Sequence, residues 1–165
     1  MATLICPKCG SQDIVALSIE GALARAIATA FFFGAIGNLL AAKKASKDES
    51  RQTLFYKCQK CRNRFNIDEK SWANQEPLTQ PCKVVFHREF SFVGAAVPRF
   101  VYLNGRRVGE VKTGKSIEFE TSVRSNVVAV TDQFGGVVRP NDLYCFDATE
   151  GGTVHIRFKG RFIRE

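Results

Sequence analysis

The chain has 165 residues, room for one ordinary domain or two small ones, and its apolar fraction of 45% is normal for a globular protein. Its formal net charge of +8 favours acidic partners, such as nucleic acid or anionic lipid, only weakly, because the charge is spread evenly over both halves. No run of five or more like charges occurs.

Two matched cysteine pairs carry the first chemical signal along the chain. Both have the spacing C-x-x-C, and each is followed by residues suited to a tight turn, Gly10 after the first pair and Arg62-Asn63 after the second. A C-x-x-C turn directs two thiolates at one point, so two such turns complete a tetrahedron of soft ligands that suits a structural Zn²⁺. The predicted ligands of this Zn²⁺ cofactor are Cys6, Cys9, Cys58 and Cys61.

Other roles for these cysteines fit the sequence less well. A thioredoxin-like redox motif needs one C-x-x-C near a βαβ pattern, whereas this chain has two pairs and no such pattern. Disulfides need an oxidising compartment, and the N-terminal sequence MATLIC lacks the regions of a secretion signal. We therefore expect a cytoplasmic zinc-binding protein in which Cys82 and Cys145 are ordinary thiols.

The two cysteine turns resemble the knuckles of the zinc-ribbon class. CPKCGS at 6–11 is similar to a first ribbon knuckle, and FYKCQKCRNRF at 55–65 is similar to its partner. The resemblance implies that one strand leaves the first knuckle and another enters the second, and residues 13–19 and 53–57 fit those strands. The chain departs from the class because 48 residues separate the two pairs, where roughly 15–20 are usual, and because Arg62 replaces a glycine.

An apolar stretch, residues 19–46, separates the two knuckles and is predicted to be an α-helical insert. Its uncharged part, 26–42, has 17 residues, the short edge of what a membrane-spanning helix needs. Small residues recur in it at intervals of four, a spacing that lets helices approach closely in membranes or in soluble pairs. The predicted docking face consists of Ala22, Ala26, Ala30 and Gly34.

The two ends of the insert are expected to lie close together, because the ribbon strands beside them must pair. One helix over 19–46 would be about 40 Å long, and the ten residues 47–56 can retrace at most roughly 33–36 Å. A single membrane span would leave the ends on opposite sides of the bilayer, which a shared zinc ion forbids. Three arrangements remain: a helical hairpin bent near 34–37, a re-entrant or interfacial membrane segment, and knuckles exchanged within a dimer.

The C-terminal half has the pattern of a β domain. Residues 74–82 contain two prolines among polar residues and are predicted to link a ribbon domain at 1–73 to a β domain at 83–165. Asn104-Gly105, between alternating runs, predicts a hairpin. In residues 84–92 the alternation predicts one apolar face, with Arg88 as the exception, formed by Val84, Phe86, Phe90 and Phe92.

Further strands are predicted at 116–123, 126–132, 143–149 and 153–160, with glycines between them. Seven or eight short strands suggest an antiparallel sandwich or barrel. The run VYLNGRRVGEVKTGKSIEFET resembles PEGA-like small bacterial β domains, which implies a sandwich with a binding or packing role. The predicted fold class is mainly β: a four-cysteine zinc ribbon with an α-helical insert, followed by an antiparallel β-sandwich or barrel.

Residues 109–116 match G-x-x-x-x-G-K-[ST], the phosphate-binding P-loop pattern. A P-loop needs a helix after the loop to receive the phosphates, whereas residues 117–120 alternate as a strand does. We therefore predict that the match is coincidental and that no nucleotide binds. His87 and His155 have no recognisable Ser, Cys or Asp partner in the sequence, so we expect no catalytic residue and no enzymatic activity.

Together these features predict a non-enzymatic interaction or assembly module whose apolar insert serves for self-association, for docking to a protein partner or for attachment to a membrane surface. The alternative is a nucleic-acid-binding protein, because Phe55, Tyr56 and Phe65 interleave with cations around the second knuckle, where charges can contact phosphates and rings can stack on bases. The same rings can instead pack the hairpin against the insert. The predicted nucleic-acid contacts are Lys57, Lys60, Arg62 and Arg64.

Overall fold

A computed structural model of the chain describes residues 3–17, 53–92, 97–132, 137–138 and 142–163. Within these ranges the protein is built from short strands with one 3₁₀ turn, Glu69–Ser71, so the predicted mainly-β class is confirmed. The insert predicted at 19–46, with its docking face, lies outside the described residues. No helix in the described part of the chain is long and apolar enough to cross a membrane.

The strands fall into a short N-terminal group and a longer C-terminal group. The first group comprises β1 (Thr3–Leu4), β2 (Ile14–Ala16), β3 (Tyr56–Cys58), β4 (Arg64–Phe65) and β5 (Trp72–Ala73). The second group comprises β6 (Pro77–Arg88), β7 (Arg99–Leu103), β8 (Arg106–Val111), β9 (Lys115–Val123), β10 (Ser125–Thr131), β11 (Tyr144–Asp147), β12 (Thr153–Phe158) and β13 (Phe162–Ile163).

The first group forms a three-stranded sheet, β2-β3-β4, which we call the knuckle sheet, and a two-stranded β1-β5 pair. Both β2–β3 and β3–β4 are antiparallel, with Ile14 opposite Cys58. Just beyond β2, Leu17 donates its N–H to the Phe55 carbonyl at 2.8 Å. The chain therefore leaves the knuckle sheet at Leu17 and returns to it at a neighbouring position, and the two strands that flank the insert pair as expected.

The second group forms two four-stranded sheets that share one hydrophobic core, and we call them the sandwich. Their strand orders are β11-β10-β7-β8 and β13-β12-β6-β9. One pair, β12–β6, is parallel; β12 enters its sheet from a strand of the other sheet, so no hairpin dictates its direction. The shared core contains Val84, Phe86, Val101, Leu103, Val111, Val128, Val130, Ile156, Phe158 and Phe162.

Strand β10 is buried along its whole length because it packs on both faces. Val128 and Val130 belong to the sandwich core, whereas Val127 and Ala129 belong to a second cluster. That cluster, the joining cluster, connects the outer face of the sandwich to the knuckle sheet, and it contains Leu4, Cys6, Ile14, Ala16, Leu54, Tyr56, Cys58, Phe65, Trp72 and Tyr102. The small knuckle sheet thus obtains a core by packing on a larger sheet.

The region predicted as a linker contributes a strand. Residues 77–82 form the first half of β6, and Leu78 and Cys82 are buried in a small cluster with Ala148. The two prolines lie where a strand tolerates a missing N–H, because Pro77 starts the strand and Pro81 lies where the β6–β9 register shifts.

The hairpin at Asn104-Gly105 is confirmed, whereas the apolar face predicted for residues 84–92 is only half correct. The two turn residues have φ values of 48° and 81° between antiparallel β7 and β8, as a type I′ turn requires. Strand β6 ends at Arg88, whose buried guanidinium donates to the carbonyls of Val97 and Val111. The strand alternation stops there, and the two rings expected on the same face as Val84 and Phe86 are exposed: Phe90 and Phe92.

Candidate metal centre

The structure brings the four predicted cysteine ligands together at one edge of the knuckle sheet. Their sulfur atoms all lie within 4.8 Å of one another, and the Cys6–Cys61 and Cys9–Cys58 sulfur pairs are each 3.6 Å apart. Four sulfurs around a tetrahedral zinc ion would be separated by roughly 3.8 Å, given a Zn–S bond of about 2.3 Å. All four cysteines are free, so the cluster has the composition and spacing to hold a metal ion.

Two turns with the same hydrogen bonds present the sulfurs. The carbonyl of Cys6 accepts from the N–H of Gly10, and the carbonyl of Cys58 accepts from the N–H of Arg62, both at 2.9 Å. Gly10 and Arg62 have φ values of 68° and 59°, so each turn closes on a left-handed residue. Arg62 therefore occupies the backbone conformation for which glycine is preferred, which is the reason a glycine is usual at this position of the zinc-ribbon pattern.

Backbone N–H groups aimed at the sulfurs favour thiolates at the first cysteine of each turn. Burial raises the pKa of Cys6, but N–H donors from Lys8 and Cys9 outweigh it and lower that pKa to about 6. The N–H of Cys61 likewise lowers the pKa of Cys58. A backbone donor acts to lower the pKa of Cys9, but the neighbouring thiol of Cys61 and burial outweigh it and raise that pKa to about 12. An incoming metal ion therefore displaces protons from part of the cluster.

The metal centre is continuous with the hydrophobic contact between the knuckle sheet and the sandwich. Cys6 and Cys58 are buried members of the joining cluster, whereas Cys9 is exposed. Beside them, the N–H of Leu54 donates to the carbonyl of Gly105 in the β7–β8 turn at 2.7 Å. Two of the four cysteines thus belong to the same buried cluster that packs the knuckle sheet against the sandwich.

The four basic residues predicted to contact nucleic acid surround the second knuckle. Lys57 and Arg64 lie opposite each other in the β3–β4 register, and Arg64, like Lys60 and Arg62 in the intervening turn, is exposed. The interleaved rings behave differently: Tyr56 and Phe65 are buried in the joining cluster, and only Phe55 is exposed, at 37%. The four cations are therefore exposed or partly exposed, whereas two of the three rings are buried and are not available to stack on bases.

The sequence did not reveal that His87 lies next to a serine. Strand register places it opposite Ser116, with 2.9 Å between its Nδ1 and the serine Oγ. Its Nε2 is 3.9 Å from a carboxylate oxygen of Glu89, too far for a hydrogen bond, and Arg157 already engages that carboxylate and holds its pKa low. The group lies on an exposed sheet face open to water, where a polar cross-strand pair is ordinary, and His155 is an exposed neighbour on β12.

The P-loop-like residues 109–116 form a strand, a turn and a strand. Gly109 belongs to β8, and β9 begins at Lys115, so the strand predicted after Ser116 is confirmed. Gly114 has a φ of 68° and donates its N–H to the carbonyl of Arg88. A helix N-terminus, the part of a P-loop that receives phosphates, does not follow this turn.

Comparison with protein-family models, curated proteins and solved structures finds no match for this chain. The likeness to zinc ribbons and PEGA-like domains therefore remains a resemblance carried by the motifs named above. Among the described residues, the four-cysteine cluster is the arrangement suited to bind a metal ion.

Proposed function

We propose that this chain is a non-enzymatic, zinc-stabilised interaction or assembly module. The observation that carries the proposal is the four-cysteine cluster, because a metal ion held by four cysteines has no coordination position left for a substrate. Soft thiolate ligands at tetrahedral spacing favour Zn²⁺ over magnesium, calcium or manganese. The metal ion fixes the knuckle sheet, and that sheet is anchored on the sandwich.

In this role the apolar insert at 19–46 is the docking element of a cytoplasmic protein. Support comes from its points of attachment: the chain leaves at Leu17 and returns at Thr53, beside a hydrogen bond between Leu17 and Phe55. Both ends are tied to one metal-braced sheet, so an insert that contacts a second copy, a protein partner or a membrane surface is held firmly by the rest of the chain.

The metal part of the proposal is tested by elemental analysis of the purified protein, which is expected to contain about one zinc per chain. Cys58→Ser should lose the metal and the knuckle sheet together, because metal-binding free energy is folding free energy in such sites. Cys145→Ser is the matched control, since Cys145 is exposed on β11 and lies outside the cluster. A protein that is fully folded without zinc would contradict the proposal.

The docking part is tested by substitution and deletion in the insert. Ala26→Leu should weaken self-association by forcing helices apart, whereas Ala28→Leu, on the opposite face of the predicted helix, should not. Replacing residues 21–46 by a short Gly/Ser turn should preserve the zinc site, because Leu17 and Phe55 already lie side by side. The same deletion should abolish dimerisation and vesicle flotation; association that survives it would count against the insert as docking element.

Nucleic-acid binding is the second candidate, favoured by the cluster of surface cations around the second knuckle. If it holds, alanine at Lys60, Arg62 and Arg64 should abolish a salt-sensitive affinity for a single-stranded oligonucleotide and flatten its salt dependence. A charge-matched control replaces three exposed cations elsewhere: Lys70, Lys83 and Arg124. Equal losses in both variants would show binding by net charge alone and would count against a site at the knuckle.

A further inference from the structure

Three connections meet at one end of the sandwich, where β6 and β12 end and β9 begins. We call this end the tip and define it as residues 89–92, 112–115 and 159–161. Hydrogen bonds make these segments neighbours, since Glu89 donates its N–H to the carbonyl of Phe158 at 2.9 Å and Gly114 donates to that of Arg88 at 2.8 Å. The tip also contains residues 112–115, half of the P-loop-like motif.

Two phenylalanine rings project from the tip into solvent. Phe90 is 55% exposed and Phe92 is 88% exposed, and with Phe55 they are the large apolar side chains exposed in the described part of the chain. Their rings are 5.0 Å apart and nearly perpendicular. The segment is held in place because Ser91 donates its N–H to Thr113 Oγ1 at 3.0 Å and that hydroxyl donates to the Glu89 carbonyl at 3.2 Å. These hydrogen bonds hold the backbone on both sides of Phe90.

The rings are surrounded by positive charge. The tip carries four exposed cations: Lys112, Lys115, Lys159 and Arg161. Its one acidic residue, Glu89, is engaged by Arg157 at 2.7 Å, so it does not offset those cations. Such a surface is complementary to an anionic membrane. Its cations match the negative headgroups, and its exposed rings match the apolar acyl chains beneath them.

We propose that the tip binds the surface of an anionic membrane, with Phe90 and Phe92 entering the boundary between headgroups and acyl chains while the four cations contact the headgroups. Single-stranded nucleic acid fits less well, because successive bases stack on ring faces along one strand and these two rings stand perpendicular to each other. The two rings can enter an apolar layer in any relative orientation.

This surface goes beyond the proposed function because it does not use the insert. Leu54, which follows the insert in the chain, donates its N–H to the carbonyl of Gly105, so the chain re-enters the described part beside the Asn104-Gly105 turn. That turn is at the far end of the β7–β8 hairpin from Arg99 and Val111. Val111 adjoins the tip. A contact at the tip and a contact through the insert therefore engage opposite ends of the sandwich and can be tested separately.

The test uses the full chain with Phe92→Trp, mixed with phosphatidylcholine vesicles with and without phosphatidylserine. The native tryptophan, Trp72, is buried and gives a constant background. We expect the emission of the new tryptophan to shift to the blue, and to be quenched by brominated acyl chains, only when phosphatidylserine is present. High salt should reverse the shift.

Two sets of variants separate the contribution of the rings to vesicle binding from that of the cations. Replacing both Phe90 and Phe92 by serine should reduce vesicle binding by about tenfold or more, whereas Phe55→Ser, at an exposed ring of the knuckle sheet, should leave it unchanged. Each of Lys112→Gln and Lys115→Gln should weaken binding about fivefold, the equivalent of about 1 kcal/mol per cation at a lipid surface.

Each outcome decides the question. Flotation of the protein without any shift at position 92 would overturn the tip proposal and leave membrane attachment through the insert in place. A shift that persists when residues 21–46 are replaced by a Gly/Ser turn would support the tip even if the insert binds nothing. A shift produced by an oligonucleotide but not by vesicles would overturn the proposal in favour of nucleic acid.

Discussion

Enlarging the residue at Gly105 tests whether the knuckle sheet and the sandwich unfold as one unit. This residue has a φ of 81°, and a Cβ there would lie 3.4 Å from the carbonyl oxygen of Leu54 and 3.5 Å from the ring of Tyr56. Alanine fits at these distances, so Gly105→Ala should cost about 1–2 kcal/mol through the left-handed backbone alone. Leucine adds atoms where there is no space, and should cost roughly 1–3 kcal/mol more by overpacking.

Gly10 provides the matched control, because it has a φ of 68° and a Cβ added there would meet no atom within 4 Å. Alanine and leucine should therefore cost about the same at this position, about 1–2 kcal/mol each. At each position, the difference in free energy of unfolding between the alanine and leucine variants is measured. The amount by which this difference is larger at Gly105 than at Gly10 measures how tightly the turn packs against the knuckle sheet.

Urea unfolding followed by the fluorescence of Trp72 suits this comparison, because the chain has one tryptophan and it lies in the joining cluster. Zinc release, followed with a chromogenic chelator, should have the same midpoint, and both midpoints should move together in Gly105→Leu. The reasoning fails if leucine at Gly105 costs no more than alanine. It also fails if the metal is released in a separate transition that the substitution does not shift.

Three further outcomes are expected. Tyr56→Phe should raise the free energy of unfolding by about 1–2 kcal/mol, because the buried Tyr56 hydroxyl has no hydrogen-bond partner among the described residues; unfolding at lower urea concentration would contradict this. Zinc binding should weaken as the pH falls, because protons compete with the metal for the cysteine sulfurs; the pKa of Cys6 in the metal-free chain is lowered to about 6, so this sulfur begins to bind protons below about pH 6, and metal retained unchanged at pH 5 in a chelator assay would be the contrary result. Lys115→Ala should leave stability within about 0.5 kcal/mol, because Lys115 is exposed in a turn-to-strand segment; Mg²⁺-dependent ATP binding that the substitution abolishes would show that residues 109–116 do bind nucleotide.

The sequence by itself determined the features that depend on a few neighbouring residues. Two C-x-x-C turns specify where their sulfurs point whatever lies between them, so the cysteine cluster could be predicted across an insert of unusual length. Asn104-Gly105 determined a hairpin because few other residues accept positive φ at both positions. Alternation of apolar residues likewise located β9, β10, β11 and β12 to within two residues at each end.

Only the tertiary structure decided what depends on partners distant in sequence. The prolines at 77–82 became part of a strand because β9 supplies a partner around the register shift, and Arg88 became buried because the carbonyls of Val97 and Val111 receive its guanidinium. Register alone brought His87 to Ser116. The joining cluster and the exposed rings of the tip have the same cause. Which face of a strand is covered depends on the sheet packed against it, and the pattern of residues within that strand does not reveal which sheet this is.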